Sequence, residues 1–199
     1  MAIEFEAKFL NVSKSEVRAR LASRNATIVR PEFLQKRVNF DLFGEKKSVH
    51  AWIRVRDEYD KITLAVKRIE GDRIQDQTEI SVTVDDFEKT VAIFEAIGCP
   101  RRGLQESRRE LWNFRGVEVM IDEWPGLEPY VEIEGPTERA VLDASEALGF
   151  DYSQAVFGSA GKVYLLRYGM SAEEVAEKYG AIAFSNEKLK ELQRNTPLK

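Results

Sequence analysis

Like-charged side chains recur two residues apart in several short segments of this 199-residue sequence. Glu4 and Glu6 form one such pair, and Arg54 and Arg56 form another. Side chains alternate across a β-strand, so residues two apart point to the same side. Each pair would repel itself unless an opposite charge lay close by. The glutamates therefore predict a hard divalent cation bound through oxygen, and the arginines predict a bound polyanion such as phosphate.

A second glutamate pair, Glu132 and Glu134, repeats the spacing near residue 130. An ordinary sheet with one wet face would explain any single polar strand face. It explains less well why the acidic pairs and the basic pair each cluster on one face. The combination favours an enclosed channel in which metal ions and a polyanion lie between these side chains.

Alternating polar and apolar residues predict the strands that position these pairs. The eight predicted segments are 3–9, 35–42, 50–57, 61–68, 76–84, 107–114, 116–123 and 130–134. Capping residues predict helices that start after Ser13, after Asp85 or Asp86, at Pro136 and Thr137, and after Ser171, with a terminal helix from Asn186. The predicted fold is α+β, a closed antiparallel eight-stranded β tunnel with helices packed outside. Closure turns the polar faces inward, and a charged lumen needs a tunnel wide enough to hold a ligand.

Composition narrows the function classes. The formal net charge is −4, whereas nucleic-acid-binding proteins usually carry an excess of positive charge. One cysteine and one histidine exclude an intrachain disulfide and a Cys/His metal cluster. No apolar run approaches about 18 residues, and the acidic, alternating amino end does not resemble a signal peptide. We expect a cytoplasmic protein without membrane or nucleic-acid partners, with a tunnel domain over 1–170 and a helical extension of it over 171–199.

The segment Glu4-Phe5-Glu6-Ala7-Lys8 matches the ExExK motif of the CYTH superfamily, also called triphosphate tunnel metalloenzymes. Further matches follow in the family's order along residues 3–168. They are Ile53-Arg54-Val55-Arg56, Leu64-Ala65-Val66-Lys67, Glu79, Arg109 with Trp112, Asp122, Gly126-Leu127 and Val131-Glu132-Ile133-Glu134. The ordered set is far more specific than any one motif. The sequence therefore resembles a family of thiamine triphosphatases, inorganic triphosphatases and class IV adenylate cyclases.

The resemblance implies roles for individual residues. The expected triphosphate-binding residues are Lys8, Arg37, Arg54, Arg56, Lys67, Arg109 and Lys162. The expected ligands of Mg²⁺ or Mn²⁺ are Glu4, Glu6, Asp122, Glu132 and Glu134. The expected catalytic residues are Glu79, Asp122 and Lys67. Two departures stand out: Gln77 occupies a position that is often acidic in the family, and Ser107 occupies one that is often basic.

Three functions remain open on the sequence. The first is a triphosphatase acting on ATP, thiamine triphosphate or tripolyphosphate. The second is an adenylate cyclase that converts ATP to cyclic AMP and pyrophosphate, and the third is a nucleotide or polyphosphate sensor without turnover. The helix after Ser171 either covers a tunnel mouth or supports a homodimer, and the residues do not decide between these roles.

Overall fold

A computed structural model of the chain describes residues 2–42 and 50–196. Met1, 43–49 and 197–199 lie outside the description, and so do the outer ends of the predicted tunnel domain, 1–170, and of its helical extension, 171–199. The strands are β1 Ala2–Ile3, β2 Phe5–Phe9, β3 Thr27–Asp41, β4 His50–Asp57, β5 Ile62–Ile69, β6 Gln77–Val84, β7 Arg101–Phe114, β8 Val117–Glu123 and β9 Tyr130–Gly135. The helices are α1 Lys14–Ser23, α2 Phe87–Ala96, α3 Glu138–Ala147, α4 Ala160–Tyr168, α5 Ala172–Tyr179 and α6 Glu187–Asn195.

One antiparallel sheet contains all of these strands and returns to its own first segment. The order is β1-β6-β5-β4-β3-β7-β8-β9-β2. Residues 2–3 pair with β6, residues 5–9 pair with β9, and the Glu4 N–H between them donates to the Gln77 carbonyl at 3.0 Å. Because β1 and β2 are one segment interrupted at Glu4, the sheet curls round on itself. This confirms the predicted eight-stranded tunnel.

Strands β3 and β7 are longer than predicted, which corrects the ranges 35–42 and 107–114. The two strands pair with each other from Thr27 opposite Asn113 to Phe40 opposite Arg101. The register shifts between Arg30 and Phe33, on either side of Pro31, because proline cannot donate to the ladder. Cross-strand pairing thus extends both strands through residues whose alternation is irregular.

Helix starts follow the predicted capping residues. Ser13, Asp86, Thr137, Ser171 and Asn186 each accept a backbone N–H in the first turn of the helix that follows. Helix α4 was not predicted. Its N-cap residue, Ser159, makes no side-chain cap hydrogen bond, and its first turn contains no acidic residue.

Most of the outward face of the sheet packs against helices, with Ile80 and Val82 of β6 left more than half exposed, and the inward face is left to polar residues. Ala7, Val119 and Ile133 are fully buried against Leu21 of α1 and Val141 of α3. A second apolar cluster joins the β8–β9 connection to α4, α5 and α6; it contains Trp124, Leu127, Tyr130, Val163, Tyr164, Val175, Ile182 and Leu189. Within the described ranges, no helix has the length and apolar character needed to cross a lipid bilayer.

Candidate functional site

A cavity of about 970 Å³ occupies the inside of the curled sheet. It is lined mainly by charged side chains from eight strands, β2 to β9. The ionisable residues at its centre are Glu4, Glu6, Lys8, Arg37, Arg54, Arg56, Lys67, Glu79, Arg109, Glu132 and Glu134. Almost every site residue predicted from the sequence therefore lies in one cavity.

Three carboxylates converge where β2 meets β9. Glu6 is paired with Glu134, and Lys8 is paired with Glu132, in the register of these strands. One carboxylate oxygen each from Glu6, Glu132 and Glu134 lie within 4.8 Å of one another. Oxygen ligands at this spacing suit Mg²⁺ or Mn²⁺.

Two lysines balance part of this negative charge. The Lys8 Nζ lies 2.7 Å from Glu6 and 3.3 Å from Glu132. The Lys67 Nζ lies 2.7 Å from Glu4 and 3.6 Å from Glu6. Burial opposes the charged form of each lysine, but the neighbouring carboxylates prevail and raise both pKa values. The structure thus places Lys8 and Lys67 among the carboxylates rather than among the arginines.

Glu134 differs from Glu4, Glu6 and Glu132 in lacking such a partner. In the described part of the chain it makes no ion pair, while Glu132 is held between Lys8 and Arg109. Burial and the adjacent charges of Glu6 and Glu132 raise the pKa of Glu134 to about 8. The pKa of Glu132 is lowered, because Lys8 and Arg109 outweigh the effect of its burial. A divalent cation beside Glu134 would remove this repulsion, so the residues present fit a metal ion.

Arginines line the opposite wall. The Arg54 Nη2 lies 2.9 Å from Glu79, and the Arg56 Nη2 lies 2.8 Å from Glu58, whose carboxylate also accepts from Thr63. Arg37 lies opposite Arg56 in the register of β3 and β4. These pairings bring the predicted phosphate-binding arginines of two strands side by side.

Arg37 is the basic counterpart of Glu134. Its guanidinium donates to the neutral Gln35 side chain at 2.8 Å and to Ser107, and stacks on Trp124 at 4.4 Å. No carboxylate lies within ion-pair distance of it in the described ranges. Burial and the nearby positive charges of Arg56 and Arg54 lower its pKa to about 9.

The pKa of Arg56 is lowered to about 10, by burial first and then by Arg54. A buried group of guanidiniums with too few carboxylates is a site for an anion. The arginine wall therefore has the electrostatics that the sequence predicts for a polyanion site.

Arg109 connects the two walls through Glu132 and is itself held by Asp122. Its Nε and Nη2 donate to the two Asp122 oxygens at 2.7 and 2.6 Å, and its Nη2 lies 3.5 Å from Glu132. Asp122 is only 1% exposed and does not line the cavity. In this geometry Asp122 orients Arg109, whereas the sequence predicts a ligand or catalytic group.

Lys162 lies at the cavity rim, where its Nζ is 3.1 Å from Asp72 and its side chain is 37% exposed. Sequence reasoning missed four buried polar residues of the cavity region: Gln35, Asn39, Glu58 and Gln105. Asn39 stands two residues after Arg37 on the same strand face, so the alternation that identifies Arg37 also identifies Asn39. Glu58 follows the end of β4 and gives no such signal.

Comparisons with known proteins agree with this architecture. Residues 2–159 match the family model of the CYTH domain. A search of curated proteins finds no match.

Solved structures show the same fold at low sequence identity. The PH1012 protein of Pyrococcus horikoshii has a TM-score of 0.66 at 20% identity, over 77% of this chain and 94% of its own. A Vibrio parahaemolyticus protein provisionally named an adenylate cyclase has a TM-score of 0.67 at 9% identity, over 81% and 97%. The HpAC1 protein of Hippeastrum, described as having a dominant triphosphatase activity, has a TM-score of 0.56 at 17% identity, over 85% and 97%.

The family model spans most of the chain, including every strand and each carboxylate and arginine described above. The chain belongs to the CYTH domain family.

Proposed function

We propose that this protein is a metal-dependent triphosphatase that cleaves a phosphoanhydride bond of an organic or inorganic triphosphate inside its tunnel. One observation carries the proposal: a carboxylate cluster with an unpaired member, Glu134, faces an arginine cluster with an unpaired member, Arg37, across one cavity. A triphosphate bridged to a divalent cation has the charges that complement both.

The arginine wall would bind and orient the triphosphate chain. Phosphoryl transfer needs its equatorial oxygens neutralised and its attacking and leaving oxygens in line. Arg37, Arg54, Arg56 and Arg109 present guanidinium donors from three adjacent strands, β3, β4 and β7. In this role Asp122 holds the Arg109 guanidinium at a fixed angle.

The carboxylate wall would hold Mg²⁺ or Mn²⁺ through Glu6, Glu132 and Glu134, with Glu4 beside them. A bound cation would supply further neutralisation of the phosphate oxygens. Lys67 lies opposite Glu79 in the register of β5 and β6, between the two walls. We assign Glu79 to orienting the attacking water and Lys67 to neutralising the charge that develops on the transferred group.

Hydrolysis is preferred over cyclisation because the dominant activity described for the HpAC1 protein is that of a triphosphatase. The assay incubates the protein with tripolyphosphate, thiamine triphosphate or ATP, with Mg²⁺, Mn²⁺ or EDTA. We expect phosphate release that requires the metal. Pyrophosphate together with cyclic AMP would instead identify a cyclase, and binding without any product would identify a sensor.

A matched pair of variants locates the activity in the tunnel. Glu134→Gln removes the unpaired carboxylate, and we expect it to lower metal-activated turnover at least 10-fold. Glu88→Gln makes the same chemical change on the exposed face of α2 and should not alter turnover. Equal turnover by the wild type and both variants would place the chemistry elsewhere.

A further inference from the structure

Two neutral amides lie side by side within the cavity wall. The Asn39 Nδ2 of β3 donates to the Gln105 Oε1 of β7 at 3.3 Å. Both residues line the cavity, and they are only 9% and 7% exposed. The Asn39 Oδ1 is buried without a hydrogen-bond partner. The Gln105 Nε2 makes no hydrogen bond to a described residue. Buried polar atoms without partners are rare and call for a binding partner.

The paired amides expose one acceptor and one donor whichever way they are turned. If both amides are flipped, Gln105 donates to Asn39, and an acceptor and a donor again remain. Phosphate oxygens are acceptors only, so they cannot satisfy a free amide oxygen. This part of the cavity therefore suits something other than the triphosphate chain.

The amide pair adjoins the arginine wall. Asn39 lies opposite Arg54 in the register of β3 and β4, and Gln105 lies opposite Arg37 in the register of β3 and β7. A group attached to a triphosphate held by these arginines would reach the amides. The cavity volume of about 970 Å³ leaves room for such a group.

We propose that Asn39 and Gln105 recognise the head group of an organic triphosphate through an aminopyrimidine edge, an amino group beside a ring nitrogen. The amino group donates to the free amide oxygen, and the ring nitrogen accepts from the free amide N–H. Adenine and the pyrimidine of thiamine share this edge. The inference rests on the proposed triphosphatase function and specifies its substrate class.

Substrate analogues test the inference on the wild-type protein. The substrates are ATP, thiamine triphosphate, tripolyphosphate and purine riboside triphosphate, which lacks the amino group of ATP. The readout is kcat/KM for consumption of each compound with Mn²⁺. A bidentate amide contact to a base edge discriminates by about 5- to 150-fold. We expect ATP to exceed purine riboside triphosphate by a factor in this range, and the ratio of thiamine triphosphate to ATP identifies the preferred head group.

An Asn39→Leu variant provides a second readout, because the ratio of kcat/KM for ATP to that for purine riboside triphosphate should fall to about one. Asn113→Leu makes the same change at an exposed position of β7 and should keep the wild-type ratio. If Asn39→Leu does not fold, the wild-type series still decides.

Two results overturn the inference for different reasons. Wild-type protein that cleaves tripolyphosphate but treats ATP and purine riboside triphosphate alike would contradict head-group recognition and leave the triphosphatase function standing. Wild-type protein that consumes none of the four compounds would contradict the triphosphatase function, and the inference would fall with it.

Discussion

At the scale of residues, the site is defined by two unpaired charges among many paired ones. Most ionisable groups of the cavity have an opposite charge within 3 Å, such as Arg54 with Glu79 and Lys67 with Glu4. Glu134 and Arg37 do not. Spacing along the sequence predicts that both residues face inward, but it cannot predict which charges remain uncompensated, because that depends on partners from distant strands.

The unpaired carboxylate should make the metal-free protein sensitive to pH. The pKa of Glu134 is raised to about 8 in the folded protein, so between about pH 4.5 and 8 the folded state binds more protons than the unfolded state. Stability is then lost as the pH rises through that window. In EDTA at pH 9, the free energy of unfolding of Glu134→Gln should exceed that of the wild type by on the order of a few kcal/mol, and its melting temperature should be higher. At pH 5 the two proteins should be about equally stable. Thermal melts at both pH values measure this, and a variant less stable than the wild type at pH 9 would refute the prediction.

Arg37, the unpaired guanidinium, should likewise lower the free energy of unfolding while it increases the affinity for a polyanion. Arg37→Met keeps a side chain that can pack on Trp124 but removes a buried positive charge crowded by Arg56 and Arg54. Replacing buried charged groups by apolar side chains of similar volume is often neutral or stabilising. We expect the free energy of unfolding to stay equal or rise and the affinity for tripolyphosphate to fall at least 10-fold. Arg101→Met, at an exposed position, is the control; unchanged affinity in Arg37→Met would remove Arg37 from the phosphate site.

At the scale of elements, local signals predict helix starts better than strand lengths. Five helices begin at capping residues that are visible in the sequence, whereas α4 begins at Ser159, whose side chain makes no cap hydrogen bond. Strands β3 and β7 extend beyond their alternating segments because each pairs with the other, and that pairing is a long-range property. Long-range packing therefore determines the ends of β3 and β7 and the position of α4, which local sequence patterns do not predict.

The C-terminal helices should unfold together with the tunnel, as expected for an extension of the same domain. Leu189 of α6 is fully buried beside Gly126 and in one cluster with Trp124 and Leu127. Leu189→Ala should cost about 2–5 kcal/mol by leaving a cavity. Leu192→Ala, at a half-buried position of the same helix, should cost less. Urea unfolding monitored by Trp fluorescence and by circular dichroism should give one coincident transition; two separate transitions would show that the helices form an independent unit.

At the scale of the whole molecule, function depends on which way the sheet closes. Alternation identifies two faces for each strand but not which face turns inward. Here helices cover the apolar faces of most strands, so the charged faces line the cavity, and residues 2–9 join both ends of the sheet. The like-charged pairs predict this orientation because their repulsion requires opposite charges close by, and the enclosed cavity brings such charges together from other strands. The neutral amides Asn39 and Gln105 carry no comparable signal, and their pairing emerges only when β3 and β7 lie side by side.

The central claim is that Glu6, Glu132 and Glu134 form a divalent metal site in this tunnel. Isothermal titration of Mn²⁺ into metal-free protein at pH 8 tests it most directly, with wild type, Glu134→Gln and the exposed control Glu88→Gln compared side by side. We predict saturable binding to the wild type and to Glu88→Gln, with an affinity at least 10-fold weaker for Glu134→Gln. Identical Mn²⁺ binding by all three proteins, or no binding to the wild type, would contradict the claim.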